Sequence, residues 1–435
     1  MFKTLRDAFR IKEVRRRILY VVLMLVVIRV GSQIPVPGVN TDFFNSYLNN
    51  GTDAFSFLNA FTGGGFTNFS IFALSITPYI TSSIIIQLLT IAIPKLEEMQ
   101  RDGAEGRKKI NKITRYLTVG LALFESLAMA IGFGNRLILE VNAVNIIVVA
   151  VSLTAGSAFL MWVGEQINDK GIGNGISMVL LINILSRIPQ DMITLYQNFV
   201  AGQTIARAVL AWVIIAAIIL ALIFLVLVLN GAERRIPVQY SKKMVGRRLV
   251  GGQSSHIPLK VNTAGVIPII FASSIMSLPG IITSFTGASP DGIGGTIIDM
   301  FSSSNWFNPD NWLLTLGLIL YVVLVIFFAY FYTSITFNPI EVADNMRKQG
   351  GFIPGIRPGK ATVDYLNSVL KYVIFIGAAG LTIVAVIPFV FNGLFSAEVS
   401  FGGTSLIIIV SVILETMKQL ESMMLVRNYK GFLND

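Results

Sequence analysis

Apolar residues dominate ten stretches of the chain, and polar connections separate these stretches from one another. A helix needs roughly 20 mostly apolar residues to cross a bilayer, and most of the stretches have about that length. The pattern therefore predicts an all-α polytopic membrane protein. The ten predicted spans are residues 18–34, 66–93, 114–134, 144–165, 174–195, 208–230, 262–286, 312–335, 369–390 and 404–426.

The second stretch, within Thr62–Pro94, is interrupted in its middle. Three consecutive glycines begin it at Gly63, and Pro78 divides the rest into a short front part and a longer back part. A half-length helix at membrane depth is tolerated only where protein or a water-filled cavity surrounds it. The pattern allows either a short re-entrant helix, Phe66–Thr77, followed by a cavity-lining helix, or one span kinked at the proline.

The back part of this stretch has two faces of different chemistry. Ile80 and Ile84 are four residues apart and share one helix face. Ser83, Gln87 and Thr90 form a polar stripe on an adjacent face. Isoleucines in a membrane helix normally face lipid or another helix, and polar stripes normally join helices. Neither face alone establishes a pore.

Composition agrees with a membrane protein, because 54% of the 435 residues are apolar and 13% are charged. Soluble domains carry roughly 25% charged residues. The first apolar run, Ile18 to Ile34, lacks a small-residue cleavage pattern and is expected to remain as an anchor. The chain has no cysteine, which excludes disulfides, a thiol nucleophile and a cysteine-based metal site. The single histidine, His256, lies in a basic loop, where we expect a solvated side chain.

The positive charge is distributed unevenly between the two sides of the predicted spans. Of the 34 Lys and Arg residues, 30 fall in the termini and alternate connections of one side, and three fall on the other. This positive-inside pattern predicts that both termini lie in the cytoplasm, in agreement with an even number of spans. The remaining cation, Arg29, lies inside the first span, where a charge is costly. It could reach the interface, form a structural ion pair or serve a function.

Several connections are long or strongly basic. The N-terminal arm, residues 1–17, is basic and amphipathic, as is typical of segments on an anionic membrane surface. The loop 232–261 combines β-branched and basic residues around a Gly-Gly turn and predicts a charged hairpin. The loop 338–368 has Gly and Pro turn signals around Arg357. Both loops are either solvated connectors or protrusions that bind a cytoplasmic partner. Two outer connections without Lys or Arg are expected to be poorly structured: Pro35–Phe61 and Thr286–Asn311.

The sequence contains no recognisable nucleophile–base pair, metal cluster or nucleotide loop, so no catalytic residue, metal or cofactor is predicted. The run GIGNGIS, Gly171–Ser177, matches no phosphate-binding motif and is interpreted as a tight turn with close backbone packing. Glu125, Glu165 and Glu415 lie in or at the ends of spans. A proton-coupled transporter or an intramembrane enzyme usually needs ionisable groups near the bilayer midplane, so both classes fit poorly.

Several long motifs occur along the chain, and through them it resembles the SecY/Sec61 alpha family over essentially its whole length. The motifs are IPVPGV (Ile34–Val39), PYITSSIIIQLL (Pro78–Leu89), FLMWVGEQINDKGIGNGIS (Phe159–Ser177), KVNTAGVIPIIFASSI (Lys260–Ile275), FNPIEVADNM (Phe337–Met346), GFIPGIRPG (Gly351–Gly359) and FGGTSLII (Phe401–Ile408). The resemblance implies two pseudo-symmetric five-helix halves around an hourglass pore, with a re-entrant plug helix. It also implies a passive channel and not an enzyme.

The resemblance further assigns residues to the closed pore. The apolar ring at the constriction would include Ile80, Ile84, Ile184, Ile270 and Ile408. Such a ring is a dewetted gasket that blocks ions and yields around an extended chain. The plug, residues 66–77, would present Phe66, Phe69, Ile71, Phe72 and Leu74.

The family's lateral gate lies between the second and third spans and the seventh and eighth. Its polar surface would include Gln87, Thr90, Ser273 and Ser274. A signal sequence or nascent span would leave through this gate according to its apolar content. Leu278 occupies a gate-region position that is often aromatic in relatives, and we do not assign it to the gate.

The resemblance also implies partners. These are SecE, SecG, the SecA ATPase, the ribosome, signal peptides, nascent polypeptides and the lipid bilayer. The chain itself has no nucleotide site, which agrees with a channel driven by others. The residues expected to bind partners are Arg247, Arg248 and Arg357.

The predicted function is a channel of the bacterial plasma membrane that translocates unfolded secretory polypeptides and releases transmembrane segments laterally. A secondary transporter with inverted repeats and a structural scaffold are the alternatives. The lack of paired midplane charges disfavours the transporter, and the Gly-Gly-Gly half-helix disfavours the scaffold. The predicted organisation is arm 1–17, N-terminal half 18–195, sixth span 196–231, loop 232–261, spans seven and eight 262–337, loop 338–368, spans nine and ten 369–426 and tail 427–435.

Overall fold

The computed structural model describes residues 2–40, 62–201, 205–240, 243–245, 248–250, 254–286, 292–302, 305–306, 312–395 and 403–431. The helices within these residues are α1 (Phe2–Arg10), α2 (Lys12–Gly31), α3 (Thr77–Ala92), α4 (Pro94–Arg101), α5 (Ala104–Leu137), α6 (Ala143–Lys170), α7 (Gly175–Phe199), α8 (Ile205–Gly231), α9 (Ile267–Thr286), α10 (Ile293–Phe301), α11 (Leu316–Thr336), α12 (Pro339–Lys348), α13 (Lys360–Phe395) and α14 (Gly403–Gly431). The strands are β1 (Glu233–Tyr240), β2 (Lys243–Val245), β3 (Arg248–Val250), β4 (Ser254–Lys260) and β5 (Gly351–Phe352).

Each of the ten apolar stretches contains one long helix. These helices are α2, α3, α5, α6, α7, α8, α9, α11, α13 and α14. Among the described residues, six helices are long and apolar enough to cross a membrane, and α3 with the sharply bent α4 would be a seventh. The chain is therefore a multi-pass membrane protein, and the count of ten spans stays a prediction.

Some helices extend beyond the predicted boundaries. The fifth span continues to Phe199, α13 begins at Lys360 inside the predicted loop 338–368, and α14 continues to Gly431 in the predicted tail. Hydropathy marks only the apolar part of a helix, whereas the helix continues while its backbone hydrogen bonds are favourable. At α13 the extension has a packing partner, because Leu366 is fully buried in a core formed by the basic loops.

The basic arm 1–17 is not one separate element. It comprises α1 and the first turns of α2. Ala8 and Val14 are buried in a small apolar cluster with Ile172 and Leu420. The arm therefore packs against other parts of the chain, and its predicted contact with a membrane surface stays a prediction.

The segment 62–76, which we call the plug segment, corrects both interpretations of the interrupted stretch. A new helix does start at the proline, since Pro78 stands in the first turn of α3. Before it, however, the chain forms consecutive turns instead of the predicted helix Phe66–Thr77. Phe69 and Ser75 have left-handed backbones, with φ of 40° and 52°, which no α-helix accommodates. Neither a short helix nor one kinked span is present.

The apolar core consists of three main clusters. One joins the plug segment to α5 and α6 in the N-terminal part of the chain. Another joins α8, α9, α11, α13 and α14 in the C-terminal part. The third cluster contains residues of α2, α6, α7, α9 and α14 together with the plug segment. It therefore connects the two parts of the chain in the interior of the molecule.

The two long basic connections fold together. Strand β1 pairs antiparallel with β4 from Glu233↔Lys260 to Gln239↔Ser254, which confirms the antiparallel pairing of the predicted hairpin. Its predicted Gly-Gly turn, at residues 251–252, lies outside the described residues. Strand β5, from the other connection, pairs with the far end of β1. The sheet order is β4-β1-β5. A shared core with α12 and the start of α13 supports this sheet, and we call residues 233–260 and 338–368 together the basic loop module.

The outer connection Thr286–Asn311 is more ordered than expected in its described part. It contains the helix α10. Beyond α10, Trp306 is 1% exposed and its indole N–H donates to Met300 O at 2.8 Å. Its ring packs against Tyr321 and Phe389, with centroids 5.4 and 4.8 Å away. The large apolar area that Trp306 buries stabilises this part of the connection. The polar composition of the connection did not predict such a contact. Residues 41–61, 287–291, 303–304 and 307–311 lie outside the described residues.

Candidate pore constriction and plug

Three of the predicted ring isoleucines come from distant helices to one place. Ile184 of α7, Ile270 of α9 and Ile408 of α14 are 3%, 8% and 1% exposed and belong to the same apolar cluster. Ile80 of α3 is partly buried and packs against that cluster. Ile84 is half-buried one turn further along α3 and is not among the described members of the cluster. Four of the five predicted residues are thus brought together.

The plug segment contributes to the same cluster. Phe72 and Ile76 are buried members, and Ile71 packs against it. The Phe72 ring also stacks on Phe159 of α6 at 5.9 Å between centroids. Sequence reasoning did not select Ile76, although it is an apolar residue immediately before the start of α3. The plug segment therefore packs in the same apolar cluster as the isoleucines.

The plug segment has a second apolar face. Phe66, Phe69 and Leu74 are buried in the cluster formed with α5 and α6. Ile71 packs against both clusters. All five side chains predicted for the plug are therefore in apolar contact. Phe72 packs in the cluster with the isoleucines, Phe66, Phe69 and Leu74 pack in the cluster with α5 and α6, and Ile71 contacts both. Partners on α5, α6 and the preceding loop are Met129, Phe133, Leu153 and Val36.

Main-chain contacts fix the position of the plug segment beside the IPVPGV motif. Val36 N–H donates to Phe69 O at 3.0 Å, and Ile71 N–H donates to Ile34 O at 3.0 Å. Pro35 and Ser70 are paired between these two bonds as an isolated antiparallel bridge. On the other side, the Ile71 carbonyl occupies the space that a side chain at residue 156 would need, so glycine is required there.

Three polar side chains contact the two ends of the plug segment. Arg29 Nη1 donates to Gly63 O at 3.2 Å, and Asn183 Nδ2 donates to Ser75 Oγ at 3.1 Å. The Ser186 hydroxyl lies within hydrogen-bond distance of two carbonyls, Gly63 O at 3.3 Å and Asn183 O at 2.6 Å. It has a single proton and can donate fully to only one of them at a time. Arg29 therefore donates a hydrogen bond to a main-chain carbonyl of the plug segment. Its predicted reach to the interface or ion pair stays a prediction.

The predicted gate residues lie on α3 and α9. The Thr90 hydroxyl is buried and donates to Ile86 O at 2.7 Å. Gln87 Nε2 lies 3.4 Å from Ser83 Oγ. Ser273 and Ser274 are half-buried on α9. The described side-chain hydrogen bonds of Gln87 and Thr90 are both made within α3. A polar gate surface shared by α3 and α9 therefore stays a prediction.

The basic loop module presents Arg357 at a structured turn. Its side chain is exposed, as predicted, and its carbonyl accepts a hydrogen bond from the Thr362 hydroxyl at 2.9 Å. Gly355 and Gly359 flank it with φ of 82° and 107°, backbones that favour glycine. Arg248 lies in β3, and Arg247 lies outside the described residues.

At the edge of this module, an acidic and a basic side chain of the same strand interact with each other. Arg235 Nε lies 2.6 Å from Glu233 Oε1 in β1. This hydrogen bond lowers the pKa of Glu233 and keeps its carboxylate ionised. His256 on β4 is exposed, as expected. Among the residues that the structure describes, no group of three or more His, Cys, Asp or Glu could hold a metal ion.

The GIGNGIS turn forms a close backbone contact, which confirms its interpretation. A side chain at residue 175 would collide with Gly164 O of α6. Asn174 caps α7 by accepting from the N–H groups of Ile176 and Ser177. Gly173 N–H donates to Gln419 Oε1 of α14 at 2.6 Å, so this turn also links two distant helices.

Comparison with known proteins agrees with this architecture. A family model for SecY matches residues 70–417. The protein translocase subunit SecY of Halalkalibacterium halodurans is 42% identical over 441 residues, covering 100% of both chains. That of Thermotoga maritima is 40% identical over 444 residues, covering 100% of this chain and 98% of its own.

Solved structures share the fold at low sequence identity. One is described as a protein-conducting channel, with a TM-score of 0.62, 18% identity and coverage of 94% of this chain and 92% of its own. Another is described as showing that the plug domain of the SecY protein stabilises the closed state of the translocation channel. It has a TM-score of 0.60 and 16% identity, and the match covers 94% of this chain and 92% of its own. These two likenesses support the fold, and the curated relatives support the family.

Fold, sequence relatives and structural neighbours together define a polytopic helical membrane channel, in which the plug segment packs in one apolar cluster with isoleucines from distant helices. The chain belongs to the SecY family. Its curated relatives are protein translocase subunits, which confirms the predicted translocation function. The family consists of translocation channels and not enzymes, which confirms that prediction too.

Proposed function

We propose that Ile80, Ile184, Ile270 and Ile408 form the seal of the translocation channel and that the plug segment closes it. The observation that carries this proposal is the single apolar cluster of these isoleucines with Phe72 and Ile76. Buried isoleucine side chains offer water and ions no hydrogen bond, so a narrow apolar constriction excludes both. An extended polypeptide can replace the plug segment because apolar contact is not directional. Ile84 is a peripheral member of the ring.

A disulfide that fixes the plug segment tests this proposal. The chain has no cysteine, so a pair introduced at Pro35 and Ser70 would be the only one. Directly opposed residues of an antiparallel pair lie about 4.5–5.5 Å apart at Cα, within the range of a disulfide. Oxidation should stop translocation in proteoliposomes, and reduction should restore it.

The matched control is the other isolated bridge of the same loop, Val39↔Ile138, which does not include the plug segment. A cysteine pair at these positions should leave translocation unchanged after oxidation. Normal translocation with the Pro35–Ser70 pair fully oxidised would rule out displacement of the plug segment.

Lateral release and the driving partners belong to the same proposal. We infer that α3 and α5 on one side and α9 and α11 on the other separate to release apolar segments into lipid, with Gln87, Thr90, Ser273 and Ser274 near the opening. The basic loop module is the surface for SecA or a ribosome, with SecE and SecG as further subunits. Support comes from the exposed Arg357 turn and from neighbours of the same fold, among them Sec61 in a canine ribosome–channel complex (TM-score 0.58, 16% identity, 94% and 92% coverage).

We further infer that both termini and the basic loop module face the cytoplasm of a bacterium, with the channel in its plasma membrane. The observation in favour is the placement of 30 of the 34 Lys and Arg residues on one side of the predicted spans. The curated relatives come from bacteria, which agrees with this location. Labelling of single cysteines in intact cells, at Lys360 and at Asn142, would report the two sides.

A further inference from the structure

The first end of the plug segment is held at Gly63. Arg29 of α2 donates to its carbonyl at 3.2 Å. The same residue approaches α7 closely, because a Cβ on Gly63 would lie 2.7 Å from Asn183 O and 2.7 Å from Ser186 Oγ. Its φ of +63° also favours glycine. The start of the plug segment is therefore docked on two helices.

The second end is held at Ser75. Its hydroxyl accepts a hydrogen bond from Asn183 Nδ2 at 3.1 Å, and both residues are buried. Ser75 has a left-handed backbone, which persists only when surrounding contacts hold it. One residue of α7, Asn183, thus lies beside Gly63 and is bonded to Ser75, so it contacts both ends of the plug segment.

Asn183 is also the neighbour of Ile184, which lies in the apolar cluster of the constriction. Residues in the same turn of a helix move together, so a displacement of Ile184 by a passing chain also displaces Asn183. We propose that Arg29 and Asn183 form a polar latch that holds the plug segment closed and is released when the constriction widens. This inference rests on the proposed function and adds two positioning residues to it.

The contribution of the latch to the closed state can be measured as a change in the fraction of open channels. A neutral hydrogen bond changes an equilibrium by roughly three- to tenfold, and one with a charged donor by more. Loss of the Asn183–Ser75 bond should raise the open fraction of the resting channel by roughly that factor, and loss of the Arg29 donor by roughly tenfold or more. Because the latch is absent from the open state, transport of a protein with a strong signal sequence should change little.

The test uses Asn183→Ala, Ser75→Ala and the double variant, with Arg29→Met for the other end. Methionine keeps the stem of arginine and removes its donors. The readouts are resting ion conductance in planar bilayers and maleimide labelling of a cysteine at Thr67, in a chain without native cysteines. We expect both to rise in each single variant. The double variant should be less leaky than the sum of Asn183→Ala and Ser75→Ala, because both changes remove the bond between these two side chains.

Two controls separate the latch from general loosening. Ser411→Ala removes a similar bond, from Asn230 Nδ2 to Ser411 Oγ at 2.8 Å, that joins α8 to α14 away from the plug segment. It should leave conductance and labelling unchanged. Gly63→Ala should open the channel more than Gly64→Ala, because both glycines have positive φ and only Gly63 meets α7 within 4 Å.

The inference is overturned if Asn183→Ala and Arg29→Met leave conductance and labelling at the level of the parent protein. Strictly additive effects of Asn183→Ala and Ser75→Ala would overturn the bond between them. Failure of the proposed function is a different result, since the Pro35–Ser70 disulfide would then leave translocation intact. If the disulfide blocks translocation but the latch variants behave like the parent protein, the latch is refuted and the proposed function stands.

Discussion

The plug segment and the basic loop module both interrupt the series of long helices, yet different forces hold them. The plug segment has no extended ladder, and it packs apolar side chains into two clusters. The module is built on a ladder of seven consecutive residue pairs between β1 and β4 and has its own core. Apolar packing tolerates exchange of one surface for another, whereas a ladder is specific to its register. One region is suited to leave its place and the other to keep its shape.

The largest effect is expected at the exposed tip of the module. Arg357→Glu should reduce SecA-driven translocation in proteoliposomes by at least about tenfold, because reversal of a charge in the proposed docking surface repels the partner. The resting conductance should stay unchanged, because the apolar residues of this turn pack in the core of the basic loop module and not in the cluster that contains Ile184, Ile270 and Ile408.

Lys348→Glu is the matched control for that variant. It makes the same charge change on an exposed residue of the same module, at the end of α12. We expect a smaller loss of translocation. Normal translocation by Arg357→Glu would refute a docking role for the turn and leave the module as a scaffold only.

A moderate effect is expected at the constriction. Ile80→Ala should raise resting ion conductance several-fold, because it removes apolar volume beside the buried cluster and allows water to enter. Ile84→Ala, on the same helix one turn away, should raise it less. Equal conductance of the two variants in planar bilayers would show that Ile84 belongs to the seal and that the cluster does not define it.

The smallest effect is expected within the module. Asn338 caps α12 by accepting from the N–H groups of Ile340 and Glu341. Asn338→Ala should cost about 1 kcal/mol of local stability, seen as roughly fivefold faster hydrogen exchange of those two amides. Asn345→Ala, an exposed position inside the same helix, is the control. Unchanged exchange in Asn338→Ala would mean that the strand ladder and core alone fix this end of α12.

Much of the fold followed from patterns that are local in sequence. Hydropathy located the long helices because burial in lipid or protein requires continuous apolar runs. The antiparallel strand pairing of loop 232–261 followed from its β-branched residues. The isoleucines Ile184, Ile270 and Ile408 were assigned only through the family motifs, since periodicity cannot tell a lipid-facing isoleucine from one in a constriction.

The errors concern features set by distant contacts. No local signal distinguishes Phe69 and Ser75 as left-handed, because neither is glycine and both conformations depend on the surroundings. The partner of Arg29 lies 34 residues away, at Gly63, inside a segment whose shape was itself wrongly predicted. Strand β5 has only two residues and exists because β1 of the other loop is beside it.

The docking of the plug segment beside residues 34–36 depends on atoms that nearly every amino acid has. Ile71 and Val36 donate their main-chain N–H groups, and Ile34 and Phe69 accept with main-chain carbonyls. At Gly156 it is again a carbonyl of the plug segment that fills the space. Side chains of the plug segment can therefore change during evolution without loss of these bonds, provided that no proline replaces a donor. An insertion between Phe69 and Ile71 should be tolerated less than a substitution, because it would change the spacing of the two groups that bond Val36 and Ile34.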